Sequence, residues 1–306
     1  MRRVYAVHSP LCMPTVVCRR FVQFVQAARC DSCRRIGWRN STCRIRTERM
    51  LASKQPAIRI HESRESLYLD ASDAVAGAIR SAARANGRCS VALSGGSTPV
   101  GLHRALATEY RNDIPWAQVH VFWGDERYVP HDDARSNYGM GRRTLLDRVP
   151  LPPGNMYPMP TDSSDPEEAA REYEATLRRY FTGDVPRFDL MVLGIGDDGH
   201  TASLFPASPA LLERQRWVLA VTTDADVPRR LTLTLPVLTR AAELHVLVTG
   251  GSKSDAVRKA LSPETDLMEC PAAALLRSEG RVTWWLDEAA AGLLDDLQRA
   301  HARAGR

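Results

Sequence analysis

From Ile58 onward, short apolar runs alternate with stretches whose apolar residues recur at helical spacing. The alanine-rich segment Leu67–Ala85 carries Leu67, Val75 and Ile79 on such a spacing and predicts a helix. Ser90–Leu93 predicts a strand, then a glycine-rich turn and a helix from Pro99 towards Tyr110. Val119–Trp123 is a strand apolar on both faces, and Ser136–Leu146 and Glu167–Tyr180 are helices. Leu190–Gly194, Trp217–Val221 and Leu244–Val248 add three strands, the last followed by a helix over Ser252–Leu261. Val282–Leu286 predicts a final strand running into a helix over Glu288–Leu297, and Trp284-Trp285 in that strand reads as core or edge packing rather than a stacking platform. The proline-rich stretch Pro150–Pro160 reads as a surface crossing or small edge element. Repeated strand–loop–helix units of this kind favour an α/β fold, a mostly parallel sheet flanked by helices. Function is then expected at the C-terminal ends of the strands, where such a sheet opens a crevice.

Charge divides the chain. The formal net charge is +5, but residues 1–49 alone carry 11 arginines against Asp31 and Glu48. The remainder is therefore mildly acidic and does not read as a nucleic-acid-binding body. No apolar stretch reaches the roughly 18 residues of a spanning helix, so no membrane association is expected. Five of the seven cysteines (Cys12, Cys18, Cys30, Cys33 and Cys43) lie in the same head. Their scarcity elsewhere argues against a disulfide-built fold and for a reducing, cytoplasmic compartment. Cys30 and Cys33 form a lone C-x-x-C without a second pair, which leaves a zinc site the weaker reading beside unpaired cysteines. Residues 1–57 are expected to be a basic, cysteine-rich extension dispensable to the fold, one that an early start codon would produce, with a targeting or binding arm as the alternative. Residues 58–306 are expected to form the α/β domain.

Four loops carry candidate chemistry. Ser94-Gly95-Gly96-Ser97-Thr98-Pro99 joins a buried strand to a helix, and its amides and hydroxyls suit a phosphate cradle as well as a plain turn. Gly124-Asp125-Glu126-Arg127 leaves the strand Val119–Trp123. Arg127 there can fork onto an anion or an oxyanion, or pair structurally with Asp125 or Glu126. Just beyond, Ser136-Asn137-Tyr138 suits a helix cap, and Asn137 can also reach a sugar hydroxyl. Gly196-Asp197-Asp198-Gly199-His200 sets an acid two residues before a histidine in a bend that Gly199 permits. A neutral His200 can take a proton from water while Asp198 holds its tautomer or orients the water; a helix-capping aspartate beside a satisfied loop histidine is the plainer reading. A metal pair is weaker still, because two residues do not make a ligand set. Arg229-Arg230 and Gly250-Gly251-Ser252-Lys253 place Arg230 and Lys253 near element ends, as phosphate contacts or as exposed cations. His103, His120 and His131 lack a comparable acid-and-glycine setting.

Read together, these segments resemble the 6-phosphogluconolactonase family over roughly residues 58–300. The matching blocks, in family order, are LSGGSTP at 93–99, VFWGDERYVP at 121–130, SNYG at 136–139, LGIGDDGHTASLFP at 193–206, RLTLTLPVL at 230–238 and VTGGSK at 248–253. The resemblance implies a modified Rossmann-like, sugar-phosphate isomerase/deaminase-like architecture. It also implies hydrolysis of 6-phospho-D-glucono-1,5-lactone to 6-phosphogluconate in the oxidative pentose phosphate pathway, without cofactor or metal. On this resemblance His200 is the general base, Asp198 its partner and Arg127 an active-site cation. Arg230 and Lys253 hold or compensate the phosphate, Ser94, Gly95, Gly96, Ser97 and Thr98 form its end of the pocket, and Asn137 faces the ligand. A phosphorylated sugar lactone is the expected partner, and the chain is expected to be a monomer or weak homo-oligomer. The competing family, glucosamine-6-phosphate deaminase, has a similar G-x-G-x-D-G-H loop but continues A-F-N-E-P where this chain reads TASLFP. A noncatalytic sugar-phosphate-binding protein is the reading from a different class.

Overall fold

A computed structural model of the chain describes residues 56–295 and Arg299. The chain divides into two units, 1–50 and 51–306, and every described residue falls in the second. The expectations for the basic head, its C-x-x-C included, lie outside the described residues.

The main sheet has six parallel strands in the order β1-β9-β8-β5-β2-β3. These are β1 (Ala57–His61), β2 (Cys89–Leu93), β3 (Val119–Trp123), β5 (Leu190–Leu193), β8 (Glu243–Val248) and β9 (Arg281–Asp287). Its central strands are buried along their whole length, as expected where helices cover both faces. Helix α1 (Arg64–Asn86) starts on Ser63, whose hydroxyl accepts from the Ser66 amide. It closes on Gly87 in the left-handed conformation and buries Leu67, Val75 and Ile79 on the sheet. Helix α2 (Thr98–Glu109) leaves β2, and α3 (Asn137–Thr144) and α4 (Pro166–Tyr180) follow β3. Asp165 caps α4 as the proline after it suggested. Trp284 and Trp285 are core residues, as their sequence context predicts. The Pro150–Pro160 stretch runs along the edge of β3, with a bridge from Met156 to Val121. Among the described residues no helix is long and apolar enough to cross a membrane.

Three points depart from the sequence expectations. First, Trp217–Val221 does not join the parallel sheet. Val218–Thr222 is β6, part of a small antiparallel sheet of order β4-β7-β6 with β4 (Asp125–Arg127) and β7 (Arg229–Leu233). Second, Ser252–Leu261 is not one helix: a tight turn over Gly251–Lys253 precedes a short α5 (Ser254–Ala260). Third, residues 288–293 form turns where a helix was expected, while 296–298 lie outside the described residues. The Asp287 carboxylate accepts from the amides of Ala290 and Gly250, so it draws the chain into a turn and ties it to the β8 loop.

Candidate active site

The loops at the C-terminal ends of β2, β3, β5 and β8 meet around one cavity of about 230 Å³. Ser94, Gly95, Gly96, Ser97, Thr98, Arg127, Asn137, His200, Arg230 and Lys253 all line it. Of the residues given a site role from the family resemblance, Asp198 alone is not among those lining the cavity; it bonds to His200, which does line it. The small sheet explains this convergence. Its strand β4 alternates faces, so Asp125 and Arg127 point into the cavity and Glu126 away from it.

His200 Nδ1 lies 2.6 Å from Asp198 Oδ1, which also accepts from the His200 amide at 3.1 Å. A carboxylate can only accept, so in the neutral imidazole this contact favours the proton on Nδ1 and the lone pair on Nε2. Burial pushes the Asp198 carboxyl up, but the hydrogen bonds from His200 outweigh it and hold the carboxyl below its ordinary value. Asp198 thus stands within hydrogen-bond reach of the imidazole nitrogen that faces away from Nε2. The Phe205 ring lies tilted against His200 with centroids 4.3 Å apart, and the Arg230 guanidinium lies 5.6 Å from the Phe205 ring. Gly196 makes the turn possible: a Cβ there would lie 2.1 Å from His200 Nδ1 and 2.5 Å from Asp198 Oδ1. Gly199, at φ +85°, supplies the bend read from the sequence.

The cations gather at the small sheet and the β8 loop. Arg127 and Arg230 are direct cross-strand partners in the antiparallel β4–β7 ladder. Like charges in that register repel. Neither guanidinium has an ion-pair partner among the described residues. Arg127 Nη1 donates to the carbonyl of Arg135 and Arg230 Nε to that of Val227. The sequence alternative in which Asp125 or Glu126 pairs with Arg127 is therefore corrected. Asp125 instead accepts from Ser203 Oγ at 2.6 Å and from Asn137 Nδ2, and Glu126 binds backbone amides. Burial lowers the pKa of Arg230, which remains a cation at any working pH. Lys253 pairs with Asp197 at 2.8 Å, an interaction that holds the Asp197 carboxyl below its ordinary value and joins the β5 and β8 loops.

The β2 loop faces these cations. Ser97 precedes α2 without a side-chain cap bond, so its hydroxyl is not spent on the helix. Thr98 Oγ1 lies 3.2 Å from Thr249 Oγ1. Thr98 and Pro99 bring the electropositive end of α2 to the cavity. Ser136, not Asn137, caps α3, and the Asn137 side chain turns inward to donate to the Asp125 carbonyl at 2.9 Å. Its Oδ1 faces Gly95, where a Cβ would come within 1.8 Å. The first glycine of the loop is thus a requirement of close approach.

Asp125, Gly196, Ala202 and Thr249 line the cavity as well and were not singled out. A three-residue strand over Asp125–Arg127 would have shown Asp125 beside Arg127, but nothing apolar marks that strand. His103, His120 and His131 lie elsewhere, bonded to Thr144, Tyr157 and the Met159 carbonyl. Among the described residues no group of three or more His, Cys, Asp or Glu side chains is placed to hold a metal.

Fold and cavity together define an α/β protein of the sugar-phosphate isomerase/deaminase-like class, with a histidine–aspartate pair and several cations at one cavity. Residues 62–284 match the model of the family described as glucosamine-6-phosphate isomerases/6-phosphogluconolactonase, and the chain belongs to that family. It is 45% identical to a 6-phosphogluconolactonase of Synechocystis sp. over 69% of this chain and 87% of that protein. Identity to the 6-phosphogluconolactonase of Mycobacterium tuberculosis is 40%, over 78% of this chain and 98% of the other. The solved structure of 6-phosphogluconolactonase from Trypanosoma brucei superposes with a TM-score of 0.72 at 30% identity, covering 79% of this chain and all of that one.

Proposed function

We propose a mechanism by which this cavity carries out the reaction of its family, the hydrolysis of 6-phosphogluconolactone to 6-phosphogluconate. The carrying observation is the His200–Asp198 pair, which reserves Nε2 of a cavity-lining imidazole for a proton. Water attacks the C1 carbonyl of the lactone while His200 Nε2 accepts its proton. The resulting C1 oxyanion is stabilised by Arg127, whose charge has no carboxylate partner of its own. Collapse breaks the bond from C1 to the ring oxygen, and the proton on Nε2 passes to that oxygen as it becomes the C5 hydroxyl. The new carboxylic acid then loses its proton to solvent. No electrons are exchanged, so the chemistry calls for no redox group.

Arg230, Lys253 and the Ser94–Thr98 loop hold the phosphate, with the start of α2 behind it. A phosphate dianion relieves the cross-strand repulsion of Arg127 and Arg230 and displaces Asp197 from Lys253. Asn137 and Asp125 face the sugar hydroxyls. The test of the phosphate assignment is a comparison of kcat/KM for 6-phosphogluconolactone and unphosphorylated gluconolactone. A preference of about 100-fold or more for the phosphorylated lactone is expected, since a buried charge-assisted contact is worth several kcal/mol. Equal values would overturn the assignment.

A further inference from the structure

Glu126 is fully buried, at 0% exposure, and no cation pairs with it among the described residues. Its carboxylate is instead filled by four donors. Oε1 accepts from the amides of Arg127 and Asn137, each at 2.7 Å. Oε2 accepts from the Tyr138 amide at 2.7 Å and from Ser136 Oγ at 3.2 Å. Three of the four donors belong to the first turn of α3 and its cap. The fourth is the amide of a cavity-lining arginine on β4.

A buried carboxylate without a counter-ion is a poor way to add stability, because desolvation costs several kcal/mol that a well-packed apolar residue would avoid. Burial indeed pushes the Glu126 carboxyl up, while the amides of Tyr138, Asn137 and Arg127 pull against that shift. What the carboxylate supplies is geometry. Oε1 joins the strand amide of Arg127 to the helix amide of Asn137 while Oε2 takes the next helix amide, and a carboxylate can accept at both oxygens at once. It thereby docks the positive end of α3 against β4. Asn137 is then held with Nδ2 on the Asp125 carbonyl and Oδ1 against Gly95.

We propose that Glu126 is a positioning residue for the lactonase reaction: it sets Asn137 and Arg127 in the cavity by clamping the first turn of α3 to β4, without touching substrate. The inference rests on the reading above that Asn137 faces the substrate.

Glutamine in its place keeps the shape but sets an NH2 group against amide donors. The test measures kcat and KM for 6-phosphogluconolactone opening by the wild type, E126Q, N137A and E126Q/N137A, normalised to folded protein by near-UV circular dichroism. Expected are a loss in kcat/KM of about 30-fold in E126Q and about 10-fold in N137A. The double variant should fall no more than about threefold below E126Q, because the two residues act through one contact set. The charge-retaining E126D should recover part of the loss. If E126Q does not fold, the same cycle is run with E126D and judged by the same coupling. Activity within twofold of wild type in E126Q, or single losses that simply multiply, would overturn the proposal. An N137A variant of unchanged kcat/KM would instead strike the underlying reading of Asn137, a result distinguishable from either.

Discussion

An H200A variant is expected to fold as the wild type does and to lose about 10³-fold in kcat for lactone opening, with KM changed only a few-fold. The magnitude follows from what a positioned general base contributes, roughly 10²–10⁴-fold. The asymmetry between kcat and KM follows from the role: His200 meets water and the ring oxygen, not the phosphate that dominates binding. Removing the part-buried imidazole costs the Asp198 carboxylate its side-chain partner, but that carboxylate is about half exposed and water can take its place, so little stability is lost. Added imidazole should restore part of the rate by occupying the space left by the ring. D198N should fall between wild type and H200A, because an amide can present its NH2 to Nδ1 and favour the wrong tautomer. Stopped-flow measurement of ring opening, with the spontaneous rate subtracted, reads all three. Near-normal turnover in H200A would remove it from the mechanism.

The second large effect concerns Arg230. R230A is expected to lower kcat/KM for 6-phosphogluconolactone by about 10²–10³-fold, while unphosphorylated gluconolactone changes within about threefold. Truncating one partner of a buried charge pair costs about 2–5 kcal/mol. The loss appears only with the substrate that carries the charge. R230K should recover part of it, since an ammonium restores the charge but not the bidentate fork. R230A should also tolerate heat at least as well as wild type when ligand is absent, because it removes the repulsive cross-strand partner of Arg127. Parallel losses on both substrates would show that Arg230 serves the fold or the reacting carbonyl instead.

The inner strands of the parallel sheet were legible because they are buried and read as short apolar runs, whereas the edge strand β1, AIRIH and only partly buried, was not predicted. Val119–Trp123 was read with its observed ends. The small antiparallel sheet was not legible. Strand β4 is only Asp125-Glu126-Arg127, and its pairing with Arg230–Thr232 is a ladder across more than 100 residues that no local pattern records. Asp125 and Arg127 line the cavity and Glu126 takes up amides of α3, which is why charges replace the apolar alternation a strand would otherwise show. The glycine-rich loops announced the site for the opposite reason: Gly95 and Gly196 stand where a Cβ would collide with Asn137 or with the His200–Asp198 pair. Glu126 was read as a possible partner for Arg127 because both are charged neighbours, whereas its carboxylate is taken up by amides from α3. The expected helix after β9 failed against a non-local contact, the hydrogen bond from the Gly250 amide to Asp287.

That this chain opens a phosphorylated sugar lactone is tested most directly by one paired assay. Freshly prepared 6-phosphogluconolactone and glucosamine 6-phosphate are offered to the full chain at matched concentrations, and ring opening and ammonia release are followed side by side. Saturable acceleration of lactone opening above the spontaneous rate, with ammonia at background, is predicted. Ammonia release without accelerated lactone opening would contradict it.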